Sequence, residues 1–127
     1  MSFAGPSGRL FDPLPIDAAA AFPQSFTLAL GGVRYEFALY VNVPETALGD
    51  IDEVMSLPDS QRFLVVRIDV LAADGTPEPV FLRKVVPSLE YRAGALALTF
   101  PTQQVARRNL NGAGNFGTQV IGGVATS

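Results

Sequence analysis

QSFTLALGGVRYEFALYVNV, residues 24–43, reads as a β-hairpin, and that reading sets the fold class. Phe26, Leu28 and Leu30 alternate with Ser25, Thr27 and Ala29, the period-two pattern of a half-buried strand. Gly31-Gly32 is a two-residue connection able to take the positive φ angles of a primed hairpin turn. On the return, Val33, Tyr35, Phe37, Leu39, Val41 and Val43 share one face. Arg34, Glu36, Ala38, Tyr40 and Asn42 take the other.

Working outward, RFLVVRIDVL (62–71) is apolar on both faces, which predicts a central strand covered on both sides. AADGTPEP (72–79) is a turn with Asp74-Gly75 at its tip, and VFLRKVV (80–86) returns as a strand. LEYRAGALALTF (89–100) predicts a tight hairpin around 92–94, with Leu96, Leu98 and Phe100 facing inward and Pro101 closing the regular part. Before these strands lies PETALGDIDEVMSLPDSQ (44–61). There Asp50 and Glu53 have the spacing of a capping box, and Ile51, Val54 and Met55 give an apolar side to a short helix that Pro58 ends.

The flanks read differently. Residues 1–23 hold Pro6, Pro13, Pro15 and Pro23, each lacking a backbone donor, so neither helix nor ladder is expected there. The segment is still too apolar for solvent, with Phe3, Leu10, Phe11, Leu14, Ile16 and Phe22. Residues 102–127 are glycine-rich and free of acids, with apolar anchors at Val105, Leu110, Phe116, Val120, Ile121 and Val124 and a candidate short strand at 118–121. The expected fold is therefore mainly β: a small antiparallel β-sandwich or barrel of about five or six strands. One short helix and extended N- and C-terminal arms complete it. The chain divides into an arm (1–23), a β domain (24–101) and a glycine-rich arm (102–127).

Composition narrows the chemistry. The 127 residues contain no cysteine, histidine or tryptophan. Disulfides, thiolate sites, histidine-ligated zinc and Ser–His or Cys–His nucleophiles are thereby excluded. Net charge is −3, so no basic footprint for nucleic acid is expected. No apolar run approaches the roughly 18 residues of a membrane span, and no secretory leader is legible. Residues 1–60 carry eight acids against two bases, and 61–127 carry four against seven. Head-to-tail contacts between identical subunits would use such an asymmetry; chance over a short chain also produces it.

Four candidate sites stand out. Residues 112–117, GAGNFG, spell the G-x-G-x-x-G of a dinucleotide turn. That motif needs a buried parallel strand before it and a helix after it. Only ten residues follow Gly117, two of them Gly122 and Gly123, so the glycines read as a bend in an arm. Glu45, Asp50, Asp52, Glu53 and Asp59 are hard-oxygen ligands for calcium but lack the spacing of a calcium loop, and read as cap and solvated loop. Tyr40 on the outer strand face is a candidate for stacking on a sugar. Arg107-Arg108 suits phosphate or an acidic patch such as 45–59 on a neighbouring subunit, with the protein contact favoured.

The hairpin carries a resemblance. FTLALGGVRYEFALYVN is similar to the opening hairpin of the small plug proteins of phage baseplates and tail tips. An apolar strand (Phe26–Leu30), a glycine turn (Gly31-Gly32), a tyrosine-containing strand (Tyr35–Tyr40) and a closing asparagine (Asn42) recur there. LVVRIDV (64–70) and FLRKVVPSLEYRAGALALTFP (81–101) resemble the strand pattern of small tail proteins around the distal tail and hub. The tryptophan that follows the first hairpin in plug proteins is absent, so the resemblance is to phage tail structural proteins as a class.

The resemblance implies a non-enzymatic virion protein, assembled in the host cytoplasm into the tail tip, baseplate or tail end. It implies no cofactor and no small-molecule substrate. The partners would be copies of the chain and other tail proteins. Interface candidates are Phe3, Leu10, Phe11, Arg107, Arg108, Leu110, Phe116, Val120 and Ile121. The alternative is a carbohydrate- or host-surface-binding β module.

Overall fold

A computed structural model describes residues 2–44, 50–59 and 61–126. The strands in chain order are β1 (Phe3–Ala4), β2 (Leu10–Pro13), β3 (Gln24–Leu30), β4 (Val33–Asn42) and β5 (Val54–Ser56). There follow β6 (Phe63–Leu71), β7 (Pro77–Val85), β8 (Glu90–Ala93), β9 (Leu96–Ala106) and β10 (Gln119–Thr126). One turn of 3-10 helix, Arg107–Asn109, leaves β9. The strands form two antiparallel sheets that do not close into a barrel. One has the order β3-β4-β6-β7; the other runs β1-β2-β10-β9-β5, with β8 also paired to β9.

The β3–β4 hairpin forms with the expected register, Leu30 opposite Val33 and Phe26 opposite Phe37. Gly31 and Gly32 both take positive φ, 59° and 81°, the requirement of a type I′ turn. The second hairpin, β8–β9, closes Ala93 against Leu96. Tyr35, Phe37 and Leu39 of β4 and Leu64, Val66 and Ile68 of β6 are buried in a single cluster with Leu98 and Phe100 of β9 and Val120 and Val124 of β10. That cluster joins the two sheets. Tyr91 adds a polar tie, its hydroxyl accepting from the Val86 N–H at 2.8 Å.

Four features depart from expectation. Residues 102–126 are not an extended arm: β9 runs through Pro101 to Ala106, and β10 pairs with it from Gln119–Gln104 to Thr126–Leu96. Pro101 is tolerated because the β9–β10 register slips there, and because β8 covers Leu96–Thr99 while β5 covers Gln104–Ala106. Residues 2–23 do not form an extended arm either. β2 pairs with β10, Phe11 is fully buried with Phe3 stacked on it at 6.2 Å, and Leu14 and Phe22 join the cluster.

The short helix also gives way. Asp50 instead makes a turn, its Oδ1 accepting from Asp52 N at 3.1 Å and its carbonyl from Glu53 N at 3.0 Å, and β5 follows. Glu53 is diverted from a capping role by Arg62, whose Nη1 lies 2.9 Å from its carboxylate. As a strand, the segment buries Met55 alone while Val54 and Ser56 face out. Finally, β6 is central but covered on one side only. Phe63 and Val65 are half-buried on the outer face, with the Lys84 ammonium over the Phe63 ring at 4.2 Å.

The β1–β2 turn is pinned across the sheet by Glu90, whose Oε2 accepts from the Ser7 N–H at 2.6 Å. Hydrogen bonds from the Ser7 side chain and backbone, with help from Arg9, hold this carboxyl below the usual carboxylate range. A depressed folded pKa means the contact contributes above the unfolded value of about 4.3 and is lost as pH falls through the folded value. The Ser7 amide is thus expected to exchange more slowly in the native chain than in Glu90→Gln at neutral pH. By NMR hydrogen exchange that difference should vanish in acid; its persistence at low pH would contradict the assignment.

Candidate functional site

A concavity of about 660 Å³ opens among the described residues where the end of β4 meets the loop after β9. Its floor is apolar: Phe22, Val41, Val43 and Leu110. Tyr40 forms one wall because β4 alternation turns it to the opposite face from Leu39, at the strand end where the sheet gives way to loops. Arg107 and Arg108 enter from the 3-10 turn, and Asn111, Gly112, Ala113 and Phe116 come from the glycine-rich loop. Ile51 also lines the concavity.

A buried polar network holds that loop. Asn109, fully buried, donates from Nδ2 to the carbonyls of Gly112 and Gly114, both at 3.0 Å. Its Oδ1 accepts from Thr118 Oγ1 at 2.6 Å, and Thr118 Oγ1 accepts from Ala106 N at 2.8 Å. Backbone bonds dock the loop on the N-terminal segment, Asn111 N to Phe22 O at 2.9 Å and Gly114 N to Ala19 O at 2.8 Å. Gly112 is required by proximity, since a Cβ there would lie 2.5 Å from the Arg108 carbonyl oxygen. The G-x-G-x-x-G segment is therefore a packed loop between two strands of one sheet, with β10 where a dinucleotide turn has its helix.

Charge at the groove is arranged within the chain. Arg108 places Nη2 and Nε at 2.8 Å and 3.0 Å from Asp52 Oδ1 and lies 5.7 Å from the centre of the Phe116 ring. Arg62 pairs with Asp59 as well as Glu53. The acids expected to meet Arg107-Arg108 across a subunit boundary thus include one, Asp52, that meets Arg108 inside the fold. Of the acidic group considered for calcium, Asp52, Glu53 and Asp59 are engaged by arginine, and Glu45 lies outside the described residues. Among the described residues no group of three acids gathers as a cation site, and no helix is long and apolar enough to cross a membrane.

The interface candidates separate into two groups. Arg107, Arg108, Leu110 and Phe116 line the groove together with Tyr40. Phe3, Leu10, Phe11, Val120 and Ile121 lie on β1, β2 and β10, with Phe11 and Val120 buried and Leu10 and Ile121 exposed. Phe22, Asn109 and Ile51 were not singled out as site residues by the sequence. Asn109 had one signal, an amide lodged between an arginine pair and a glycine run, but its own burial was not legible. Chemically, the groove offers an apolar floor, a phenol, an amide and two guanidinium groups, a set suited to binding an apolar body that carries a polar or anionic group. Comparison with known protein families, curated proteins and solved structures finds no match to this chain.

Proposed function

We propose that the chain is a non-enzymatic structural protein of a tailed-bacteriophage virion, assembling in several copies at the tail tip, baseplate or tail end. Its setting rests on the resemblance of residues 26–42, 64–70 and 81–101 to small tail proteins. In this reading the two sheets pack as a sandwich whose loop end is a contact surface. One observation supports the mode of assembly: Ile51 and Phe116, 50% and 39% exposed, lie beside Arg108 at the groove, and Val54, 40% exposed, faces Gly117, the residue after Phe116. Exposed apolar side chains grouped on one end mark a surface that gains by being covered. Each is already half covered or more, so burying the remainder contributes about 0.6–1.5 kcal/mol apiece.

Two measurements test this. Peptides of the chain should appear at several copies per tail in purified particles of the phage that encodes it, and their absence would overturn the setting. The recombinant chain should form an oligomer by light scattering, and Ile51→Asp/Phe116→Asp should reduce its mass without altering the β circular dichroism. An unchanged mass would overturn the role of the groove mouth.

A second reading, a carbohydrate- or host-surface-binding module, is favoured by the convergence of Tyr40 and Asn111 on one groove. In that case Tyr40→Ala should abolish retention on immobilised glycans and leave the oligomeric mass unchanged.

A further inference from the structure

The two outer edges of the four-stranded sheet are built differently. β7 carries Pro77 and Pro79, which cannot donate, a register slip opposite Ile68–Asp69, and the charges of Arg83 and Lys84. These are the devices by which edge strands avoid pairing with other chains. β3, the other edge, has none of them: seven residues with no charge, no proline and an unbroken register against β4.

The hairpin turn determines which β3 groups face outward. Leu30 and Val33 flank a two-residue turn and so form a hydrogen-bonded pair; alternation then gives Leu28–Tyr35, Phe26–Phe37 and Gln24–Leu39 the same status. The N–H and C=O groups of Ser25, Thr27 and Ala29 therefore point away from β4. Phe26, Leu28 and Leu30 pack on the core while remaining half-buried.

We propose that this edge pairs with β3 of a second copy of the chain, antiparallel, across a two-fold axis at Thr27. The inference rests on the reading that the chain assembles in copies. Among two-fold registers, this one engages every outward residue: Thr27 meets its own mate, and Ser25 meets Ala29 of the second copy. It forms about six backbone hydrogen bonds. It also sets Phe26 beside Leu28 of the second copy on the inner face, extending the apolar row across the junction. Pairing of β3 with β7 of a second copy, which would propagate into a filament, is obstructed by Pro77 and Pro79, so the contact closes as a dimer.

The chain has no cysteine, so single thiols report the register directly. Oxidation of Thr27→Cys should give a covalent dimer, because hydrogen-bonded pairs place Cα atoms about 5.5 Å apart, within disulfide reach. Ser25→Cys alone should not cross-link, whereas a mixture of Ser25→Cys and Ala29→Cys chains should. Thr27→Pro removes a donor that β4 does not use, and should weaken this pairing at least tenfold with the circular dichroism retained. Thr27→Lys serves the same purpose if the proline variant fails to fold.

Cross-linking of Ser25→Cys but not Thr27→Cys would overturn the register. An oligomer unaffected by Thr27→Pro and Thr27→Lys, yet reduced by Ile51→Asp/Phe116→Asp, would overturn the edge contact and leave the assembly reading standing. A monomeric native chain at tens of micromolar would overturn the edge contact too, with particle composition still deciding the setting.

Discussion

Phe100→Ala is expected to lower the unfolding free energy by about 3–5 kcal/mol, the range for emptying a buried aromatic site. Phe100 is fully buried and sits in β9 where the register against β10 slips. Its ring covers the backbone of Gly122, so close that a Cβ there would stand 2.7 Å from it. A domain of this size has about 5–15 kcal/mol of stability in all, so the loss is a large fraction of the total. It corresponds to a fall in melting temperature of roughly 12–20 °C. Urea unfolding followed by tyrosine fluorescence measures it.

The same contact makes a coupled prediction. Gly122→Ala alone should be destabilising, because the added methyl meets the Phe100 ring and the Ile16 Cδ1 at 3.1 Å. In the Phe100→Ala background the ring is gone, and the methyl fills part of the vacated space. The double variant should therefore be more stable than the sum of the single losses predicts, by about 1 kcal/mol. Strict additivity would show that the ring does not rest on Gly122.

Asn109→Ala has the second-largest expected effect, a loss of about 2–4 kcal/mol. Deleting this amide leaves the Thr118 hydroxyl and the Gly112 and Gly114 carbonyls without a partner they now have. A buried polar group so abandoned costs about 1–3 kcal/mol. The two carbonyls belong to half-buried residues and regain water on loosening, which keeps the total below the full sum. The loop should also lose amide protection at Asn111 and Gly114, whose N–H groups are docked on Phe22 and Ala19.

Asn109→Asp sharpens the test. The carboxylate keeps an acceptor for Thr118 but faces two carbonyl oxygens, so burial and repulsion raise its pKa. With a raised folded pKa the carboxyl destabilises when ionised, above that value. Stability should then recover as pH falls through it and the protonated group donates to one carbonyl. A variant equally unstable at all pH values would contradict the donor role of Nδ2.

What the sequence disclosed depended on how locally each feature is encoded. The β3–β4 hairpin was legible because alternation and Gly31-Gly32 specify it within twenty residues. β10 was legible only at its start, as the short strand expected at 118–121, since the GGVAT that continues it looks like loose tail material. Its two glycines are places where the Phe100 ring, the Phe3 ring and the Phe11 Cβ lie on the backbone, a long-range packing fact with no local signature. Likewise Asp50 and Glu53 match a helix cap and equally an Asp-initiated turn, and Arg62 decides between them from nine residues away. The groove is assembled from residues near 22, 40, 51 and 107–116, so its members could be suspected singly but not as a group.

The pairing of β2 with β10 also bears on how the chain reaches this state in time. Pro13 waits for Gly123, a separation of about 110 residues, and Phe22 waits for Leu110. Loop closure over such distances must precede any reward, which places folding in the slow, millisecond-to-second class. During synthesis at about 5–20 residues per second, the first strands stand ready for roughly 5–20 s before their partner leaves the ribosome. Through that interval Phe11 has no β10, and Phe22 no Leu110, to lie against, and both rings stay open to solvent.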